Sequence, residues 1–429
     1  MADGDREYRK AFYAAVNHHQ GRRELTGAEE FDRYYVPVYA IPDGPAGPDL
    51  VAEITNAIDF TTGGSVQLLT GYRGAGKTTE LMRLCRQLDP DVYLPVYWDV
   101  EHYFSTELPL EEGAFLVGLA AGFVDSCDQA KVPQQRLRER VRSFLERIDV
   151  SLDGLQLSAG PDGLPASVGI RAALRDDPSF RAQVNRALSS NRRRFREEVH
   201  SFFADVLQAL PDLTPVFIVD SIDHFRGRAA TFDEVRESVE SLFSVYADEL
   251  TIPGMHVVYT VPVYAKPAAW PGQVWPVLNI KVRERDGQVC PTGIDLLRQV
   301  LAKRAPDGDL ERLLGNHVDR VILASGGLFR DLFRLVSALL VKESALPVSA
   351  PLIDEAERQQ RSYAATALSK EQWEILAEVK RTGQLRVPRE RSSQAWDLQA
   401  LGAVLCYRNG AVDWYGVHPL LDPLVPHEP

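Results

Sequence analysis

A glycine-rich stretch around residue 75 has the residue types and the spacing of a loop that binds phosphate. It contains the pattern G-x-x-x-x-G-K-[ST]. Glycines let the backbone turn tightly, so that consecutive N–H groups can point at phosphate oxygens. Lys77 is predicted to reach the β- and γ-phosphates, and the Thr78 hydroxyl to ligate Mg²⁺. The stretch therefore predicts a site for ATP or ADP with Mg²⁺, lined by Gly71, Tyr72, Arg73, Gly74, Ala75, Gly76, Lys77, Thr78 and Thr79.

The segments on either side of this loop agree with that interpretation. The apolar run from Val66 to Leu69 predicts a buried strand, and the apolar residues between Leu81 and Leu88 share one side of a helix. A helix that starts near Gly76 would turn its positive end toward the same anion. The alternative is a glycine-rich turn between a strand and a helix that binds no ligand.

A second stretch ends a predicted buried strand with a carboxylate. Val216 to Val219 is apolar and is followed by Asp220. In open α/β sheets, ligands bind at the carboxyl ends of the strands. Asp220 is therefore predicted to hold Mg²⁺ through water, together with Thr78. A later strand, His256 to Val261, carries Thr260 where a polar residue that senses the phosphate is expected.

Hydrolysis of ATP also needs a group that positions or deprotonates the attacking water. The residue after Asp220 is Ser221, whose hydroxyl is a poor base, and the next acidic residue is Asp223. Turnover is therefore predicted to be slow and to depend on Asp223 or on a residue from a neighbouring subunit. The predicted catalytic residues are Lys77, Asp220 and Asp223.

Composition argues against several classes of protein. The 429-residue chain has a formal net charge of −12, which disfavours a mainly electrostatic binder of nucleic acid or membranes. Its four cysteines lie far apart without metal-ligand spacing, as expected for core residues in a reducing cytosol. The most apolar window, 113–124, is shorter than the roughly 20 residues that span a bilayer. The N-terminus shows no signal-peptide pattern. We expect a cytoplasmic protein without a membrane-spanning segment.

The order of the predicted elements indicates an α/β fold of the P-loop NTPase type, with a parallel sheet of about five strands. A tight-turn signal, Asn409-Gly410, lies between two alternating runs and follows two helices, which is typical of a winged helix. The predicted segments are an N-terminal helix with an extended arm (1–50), a P-loop ATPase core with a helical or hairpin insertion around 113–210 (51–290), a helical lid (291–345) and a winged helix-turn-helix (346–429).

The sequence also makes more specific predictions about individual strands, helices and the N-terminal arm. The strand at 92–98 contains Pro95, which predicts an edge position in the sheet. The fifth strand is predicted at Val277 to Val282, and a hairpin or loop at Ser151 to Ile170. The long amphipathic stretch from Pro178 to Leu210 predicts helix. The arm before residue 50 is expected either to cover the adenine or to pack on the edge of the domain.

These motifs together resemble the AAA+ and STAND classes of P-loop ATPases, and most closely the STAND branch with its NACHT and NB-ARC domains. The stretch from Asp220 to Asp223 is similar to the Asp-Gly-Leu-Asp pattern of NACHT proteins. The stretch Ser325-Gly326-Gly327-Leu328 is similar to the glycine-rich motif of the NB-ARC lid. Arg330 stands where an AAA+ second-sensor arginine would. His418, in Val417-His418-Pro419, resembles the histidine of the Met-His-Asp motif. The resemblance implies that Arg330 and His418 contact the nucleotide.

The resemblance further implies a molecular switch. ADP and ATP would stabilise different placements of lid and winged helix. STAND proteins usually carry an effector domain and sensor repeats, and neither fits in the residues left over. An effector or sensor protein is therefore expected in trans, as in bacterial signalling or antiphage defence, and a homo-oligomer is a further option.

Two other functions stay open. A DNA-binding AAA+ ATPase, similar to origin-recognition initiators or transposition helpers, would bind duplex DNA through its winged helix. Arg386, Arg389, Arg391 and Arg408 could contact DNA phosphates, although acidic residues lie among them. A nucleotide-binding scaffold without turnover would instead retain ADP or ATP and release no phosphate.

Overall fold

The computed structural model describes residues 3–17, 25, 27–41, 44–129, 135–150, 166–210, 212–228, 231–265, 270, 272–342, 345–410 and 412–426. The strands of this part are β1 (Val66–Gly71), β2 (Tyr93–Asp99), β3 (Thr214–Asp220), β4 (His256–Pro262), β5 (Gln273–Val277), β6 (Val404–Asn409) and β7 (Val412–Val417). The α-helices are α1 (Asp3–Val16), α2 (Ala28–Tyr34), α3 (Leu50–Asp59), α4 (Lys77–Gln87), α5 (Glu112–Gln129), α6 (Gln135–Arg147), α7 (Ala166–Asp176), α8 (Pro178–Ser190), α9 (Arg192–Leu207), α10 (Phe232–Ser244), α11 (Pro291–Ala302), α12 (Glu311–Leu314), α13 (Val318–Ala324), α14 (Phe329–Leu340), α15 (Ala350–Thr366), α16 (Lys370–Thr382) and α17 (Ser392–Leu401).

The five-stranded sheet has the order β2-β3-β4-β1-β5, and β3 pairs in parallel with both β2 and β4. This is the α/β sheet of a P-loop NTPase, as predicted. The edge position of β2 is confirmed, and it suits Pro95 because proline has no N–H to donate to a second neighbour. The predicted position of the fifth strand is wrong, because this strand lies at Gln273–Val277 and not at Val277 to Val282. The backbone N–H groups of Asn279 and Ile280 instead donate to the carbonyl oxygens of Cys406 and Gly327.

The chain divides into two compact units. The first, which we call the sheet unit, comprises residues 54–70 and 84–275. Its core contains β2 to β4 and the apolar helix α5, which confirms the predicted core helix at 113–124. A Cβ at Gly122 would lie 2.3 Å from the ring of Trp98, so this glycine lets α5 pack directly on β2.

The helical insertion of the sheet unit differs in two places from the sequence prediction. The stretch from Pro178 to Leu210 is two helices, because the Asn191 side chain accepts a hydrogen bond from Arg194 N–H at 3.0 Å and begins α9 afresh. Of the predicted hairpin or loop at 151–170, residues 151–165 lie outside the described part of the chain. The remainder is helical, since α7 begins at Ala166.

The second, which we call the lid unit, comprises residues 1–53, 71–83 and 276–429. The lid consists of α11 to α14, and the end of α14 is capped by Arg9 of α1, which donates to the carbonyl oxygens of Leu339, Leu340 and Lys342. In the winged helix, Ser369 and Gln372 form a capping box at the start of α16. The predicted hairpin is confirmed as β6 and β7. Within the described ranges, no helix combines the length and the apolar character needed to cross a membrane.

Candidate nucleotide-binding site

The phosphate loop, residues Gly71–Thr78 of the lid unit, closes around the ammonium group of its own lysine. Lys77 Nζ donates hydrogen bonds to the carbonyl oxygens of Gly71 and Tyr72, at 3.1 and 2.9 Å. Lys77 is only 5% exposed. Because α4 begins at Lys77, the first N–H groups of this helix also belong to the loop. The cation and the positive end of the helix therefore meet at one loop, as the binding of an anion requires.

Two glycines of the phosphate loop lie against the first turn of α14. Gly74 has a φ of +82°, and a Cβ there would lie 2.4 Å from the Cβ of Arg330. Arg330 N–H also donates to the Gly74 carbonyl oxygen at 3.3 Å. A Cβ at Gly76 would lie 3.3 Å from the ring of Phe329. The lid therefore contacts the phosphate loop directly, and any bulkier residue at Gly74 would separate the two.

The N-terminal arm packs against the same loop. The Tyr39 hydroxyl lies 2.6 Å from the carbonyl oxygen of Ala75 and 2.8 Å from that of Leu278, and its ring is buried. A hydroxyl has one proton, so Tyr39 donates to one of these oxygens at a time. Burial raises the pKa of Tyr39 well above its usual value, which keeps the hydroxyl protonated. Of the two expected placements of the arm, this contact agrees with packing on the domain.

A charged network joins the start of α14 to the winged helix. Arg330 Nε and Nη2 donate to the two carboxylate oxygens of Asp331, at 3.1 and 3.2 Å. His418 Nε2 lies 3.5 Å from Asp331 Oδ2, and His418 is 5% exposed. Burial alone would raise the pKa of Asp331, but the hydrogen bond from His418 and the charge of Arg330 outweigh it and hold that pKa well below the usual range. Asp331 is therefore an ionised link between the two residues that the resemblance assigns to the nucleotide.

A buried carboxylate on the helix of the phosphate loop carries a second network. Glu80 is 2% exposed and accepts hydrogen bonds from the Tyr35 hydroxyl at 3.1 Å and from Arg83 Nη1 at 3.3 Å. Arg83 Nη2 also donates to Asp49 at 2.6 Å. Burial raises the pKa of Glu80 to about 7, and the attraction of Arg83 reduces that rise without cancelling it. The arm, α4 and the start of α3 are thus tied together by one group that changes charge near neutral pH.

The substitution Glu80→Gln should change the pH dependence of stability. A carboxyl whose folded pKa is raised from 4.5 to about 7 stabilises the fold fully below pH 4.5 and loses this contribution as the pH rises through 7. At about 1.4 kcal/mol per pKa unit, the loss approaches about 3 kcal/mol. Glutamine stays neutral at every pH. The stability of Glu80→Gln should therefore rise relative to that of the wild type by about 3 kcal/mol as the pH goes from about 4.5 to about 8.

Urea unfolding at both ends of this pH range measures the effect, with Glu29→Gln on the exposed side of α2 as the control. A difference between Glu80→Gln and the wild type that stays constant with pH would contradict the assignment.

The sheet unit holds the other predicted metal and catalytic residues. Asp220, the last residue of β3, is 1% exposed. Its Oδ2 accepts a hydrogen bond from the Tyr97 hydroxyl at 2.9 Å, and its Oδ1 accepts one from the Ser221 N–H at 2.7 Å. A carboxylate has about four lone-pair positions, so both oxygens can also accept hydrogen bonds from water. This chemistry fits a hydrated Mg²⁺, which prefers oxygen ligands and keeps several of its waters.

A hydrogen bond joins the turn after Asp220 to β4. Ser221 has a φ of +71°, and the next residue, Ile222, donates its N–H to the Thr260 hydroxyl at 3.2 Å. Thr260 is fully buried. Asp223 is 9% exposed and lies in the short 3-10 turn Ile222–His224. The predicted phosphate sensor therefore holds the turn that carries the predicted catalytic Asp223.

The structure groups the predicted site residues by unit. In the lid unit it brings the phosphate loop to Arg330, and through Asp331 it brings Arg330 to His418. In the sheet unit it joins the turn of Asp223 to Thr260. Sequence reasoning missed residues whose hydrogen bonds and ion pairs lie within each of these groups. The missed residues are Tyr39, Glu80, Tyr97, Glu101, His224 and Asp331. Glu101 alone had a usable signal, because it follows the last residue of a strand, Asp99, by two positions.

Among the described residues, no group of three or more His, Cys, Asp and Glu side chains is arranged to hold a metal ion. A magnesium ion bound to a nucleotide does not require such a group, because phosphate oxygens and water complete its coordination. The acidic residues of this site therefore fit a metal that arrives with its ligand.

No known protein family and no curated protein matches this sequence. Among solved structures, the chain is similar to the ORC2 protein of Aeropyrum pernix, described as ADPNP–ADP complexes, at 12% identity and a TM-score of 0.39, over 96% of this chain and 97% of that one. It is also similar to Cdc6p from Pyrobaculum aerophilum, at 11% identity and a TM-score of 0.37, over 96% and 95% of the two chains. TM-scores below 0.5 are too low to transfer a ligand or a partner.

Neither of these two names is that of a STAND, NACHT or NB-ARC protein. The STAND resemblance and the antiphage role thus receive no support from these comparisons. The sheet order, the phosphate loop after β1, the lid and the winged helix give this chain the fold of a P-loop NTPase.

Proposed function

We propose that this protein is an ATP-binding and slowly hydrolysing P-loop ATPase that works as a nucleotide-dependent switch. The single observation that supports it most is the contact between the phosphate loop and the lid, in which Arg330 N–H donates to the Gly74 carbonyl oxygen. A phosphate that enters the loop would compete with this contact. Nucleotide binding would thereby be coupled to the position of α14.

The roles of the individual residues follow from their chemistry. Lys77 would exchange the loop carbonyl oxygens for the β- and γ-phosphates, since its ammonium group already lies in the loop. Thr78 would ligate Mg²⁺, and Asp220 would hold a water of that ion. The bound Mg²⁺ supplies charge neutralisation on the phosphates. Ser221, next to Asp220, has no base to offer, so hydrolysis depends on a group at another position, and we expect it to be slow.

The switch itself would act through Asp331. Arg330 points its guanidinium at Asp331 in this structure, and Asp331 is also the partner of His418. If Arg330 turns to a γ-phosphate, Asp331 loses the cation that helps to stabilise it, and the contact with His418 weakens. ATP and ADP would then favour different placements of the winged helix, because only ATP carries the phosphate that attracts Arg330.

The test is calorimetric titration of the purified protein with ATP and ADP in the presence of Mg²⁺, together with phosphate-release kinetics. We expect binding of both nucleotides and release of phosphate well below the typical enzyme turnover of about 10 s⁻¹. Binding without any release would identify a scaffold, and the absence of binding would overturn the proposal. Fast release without a partner would contradict the switch.

Duplex DNA is the second candidate partner, and one observation favours it. Arg386 and Arg389 are exposed on the segment that leads into α17, where a winged helix would meet a duplex. Arg391 and Arg408 suit this role less, because Arg391 pairs with Glu374 at 2.8 Å and Arg408 with Asp413 at 2.6 Å. The candidate DNA surface is therefore smaller than the sequence indicates.

Reversing both exposed charges, by Arg386→Glu with Arg389→Glu, should weaken DNA binding. Each lost phosphate contact lowers the slope of log Kd against log salt by about 1, so the pair should lower it by about 2. Fluorescence anisotropy with a labelled duplex between about 50 and 200 mM salt measures this slope.

The control for this experiment is Arg142→Glu with Arg193→Glu. It makes the same change in net charge on exposed faces of α6 and α9. Equal loss of DNA binding in both double variants, or no salt-dependent binding by the wild type, would reject DNA as the partner.

A separately encoded effector or sensor protein, a homo-oligomer and a cytoplasmic location stay predictions. They rest on the sequence resemblance and on composition. Mass spectrometry of proteins retained by the wild type and by Lys77→Ala would test the first of them, because a genuine partner of the switch should depend on the nucleotide.

A further inference from the structure

Two neighbouring strands of the sheet unit end side by side in short turns. Asp99, the last residue of β2, is paired in register with Asp220, the last residue of β3. Each strand is followed by a 3-10 turn, Val100–His102 after β2 and Ile222–His224 after β3. Parallel strands lie about 4.8 Å apart, so residues in the two turns can reach each other and the predicted metal ligand.

The two turns are joined by a carboxylate and an imidazole. Glu101 Oε1 lies 2.6 Å from His224 Nδ1, and both side chains are 10% exposed. An ionised carboxylate has no proton to donate, so Nδ1 carries the hydrogen and Glu101 accepts it. The Glu101 backbone is also held, because Arg175 donates to its carbonyl oxygen at 3.0 Å. Glu101 is thus fixed at the carboxyl edge of the sheet by groups that are distant in sequence.

The other carboxylates at this edge of the sheet have different structural roles. Asp99 Oδ1 accepts the N–H of Glu101 at 2.9 Å and so caps its own turn. Asp220 is the predicted metal ligand. Asp223 lies on the far side of the imidazole, with its Oδ2 at 3.8 Å from His224 Nε2, and its side chain is 3% exposed against 10% for Glu101. Glu101 therefore has better access to water than Asp223 and is held by a hydrogen bond of ordinary length.

We propose that Glu101, and not Asp223, is the catalytic residue that orients and deprotonates the attacking water, with His224 as its positioning residue. This inference rests on the proposed ATPase function. Ser221, directly after Asp220, has no carboxylate, and Glu101 supplies one from the turn that follows the neighbouring strand β2.

The step balances without any further reactant. The water oxygen forms a bond to the γ-phosphorus as the bond from that phosphorus to the bridging oxygen of ADP breaks. A water proton passes to Glu101, and ADP leaves with the electron pair of the broken bond. Glu101 then returns its proton to the phosphate product or to solvent. His224 stays protonated on Nδ1 throughout and keeps the carboxylate turned toward the water.

The experiment compares Glu101→Gln and Asp223→Asn in two assays, calorimetric ATP binding and single-turnover release of phosphate. Glu101→Gln should bind ATP with wild-type affinity and release phosphate about 100-fold more slowly or worse, because a general base contributes a factor of about 100 to 10,000. Asp223→Asn should lose less than about 10-fold. Glu107→Gln, the same substitution at an exposed partner of Arg228, is the matched control and should behave as the wild type.

His224 is tested by two substitutions. His224→Ala should slow phosphate release without changing ATP affinity, and His224→Asn should restore much of the rate, since its amide can donate from nearly the same place as Nδ1. A purely structural histidine would show no such rescue.

The outcomes separate this inference from the proposed function. Phosphate release by Glu101→Gln at the wild-type rate would overturn the inference, and loss confined to Asp223→Asn would make Asp223 the base. ATP binding by the wild type without any release would instead overturn the proposed turnover, and the inference with it.

Discussion

Replacing Lys77 with alanine should lower the affinity for ATP by about 100-fold or more. A hydrogen bond to a charged group contributes about 1.5 to 3 kcal/mol, and Lys77 would make such bonds to two phosphates. A loss of about 3 kcal/mol corresponds to about two powers of ten in Kd. The buried position of the ammonium group strengthens the effect, because few water molecules can replace it.

Calorimetric titration measures the change in Kd, and thermal unfolding with and without ATP provides an independent readout. The wild type should gain stability on adding ATP, and the variant should not. Without nucleotide, the variant should unfold slightly earlier, since the carbonyl oxygens of Gly71 and Tyr72 lose their donor. Lys303→Ala, at an exposed position after α11, is the control for removing a lysine. ATP binding by Lys77→Ala with wild-type affinity would mean that this loop is not the nucleotide site.

Replacing Asp331 with alanine should be strongly destabilising and should uncouple the winged helix from the nucleotide. Removing one partner of a buried ion pair leaves the other without compensation, at a cost of about 3 to 5 kcal/mol. Here two guanidinium groups face the lost carboxylate, those of Arg330 and Arg334, and the imidazole of His418 lies beside it. ATP should still bind, because Lys77 is intact, but the winged helix should no longer respond to it.

Two measurements check this. Urea unfolding gives the loss of stability, and hydrogen exchange of β6 and β7 with ATP or ADP gives the response of the winged helix. Because the folded pKa of Asp331 is depressed, its contribution is present above the unfolded value of 3.8 and disappears only as the pH falls further. The gap between variant and wild type should therefore stay constant from neutral pH down to about pH 4 and narrow in stronger acid.

Asp319→Ala removes a lid carboxylate from an exposed pair with Arg298 and should cost less than about 1 kcal/mol. Equal destabilisation by Asp319→Ala and Asp331→Ala would refute the role of the buried network. A winged helix that still distinguishes ATP from ADP in Asp331→Ala would refute the proposed coupling.

The sequence was sufficient for features that depend on neighbouring residues. The phosphate loop, the Asp at the end of β3 and the Asn409-Gly410 hairpin are all encoded within a few positions, because backbone sterics and local hydrogen bonds decide them. The edge position of β2 could also be predicted, since Pro95 itself lacks the donor that an inner strand needs. The fifth strand was displaced in the prediction because most of the run at 277–282 is buried as a strand would be, although the N–H groups of Asn279 and Ile280 bond to the winged helix and the lid.

What the tertiary structure alone decided is which distant groups meet. Glu101 and His224 are 123 residues apart, and Tyr39 and Leu278 are 239 apart, so no periodicity or spacing could join them. The same holds for Asp331, whose charge matters only because folding brings His418 to it. The sequence by itself determined that the chain has a phosphate loop and an Asp-ended strand, since local chemistry specifies both. The fold decided which distant residues hold the phosphate loop and the Asp-ended strand in place. The reason is that hydrogen bonds and ion pairs act over a few ångströms in space and not along the chain.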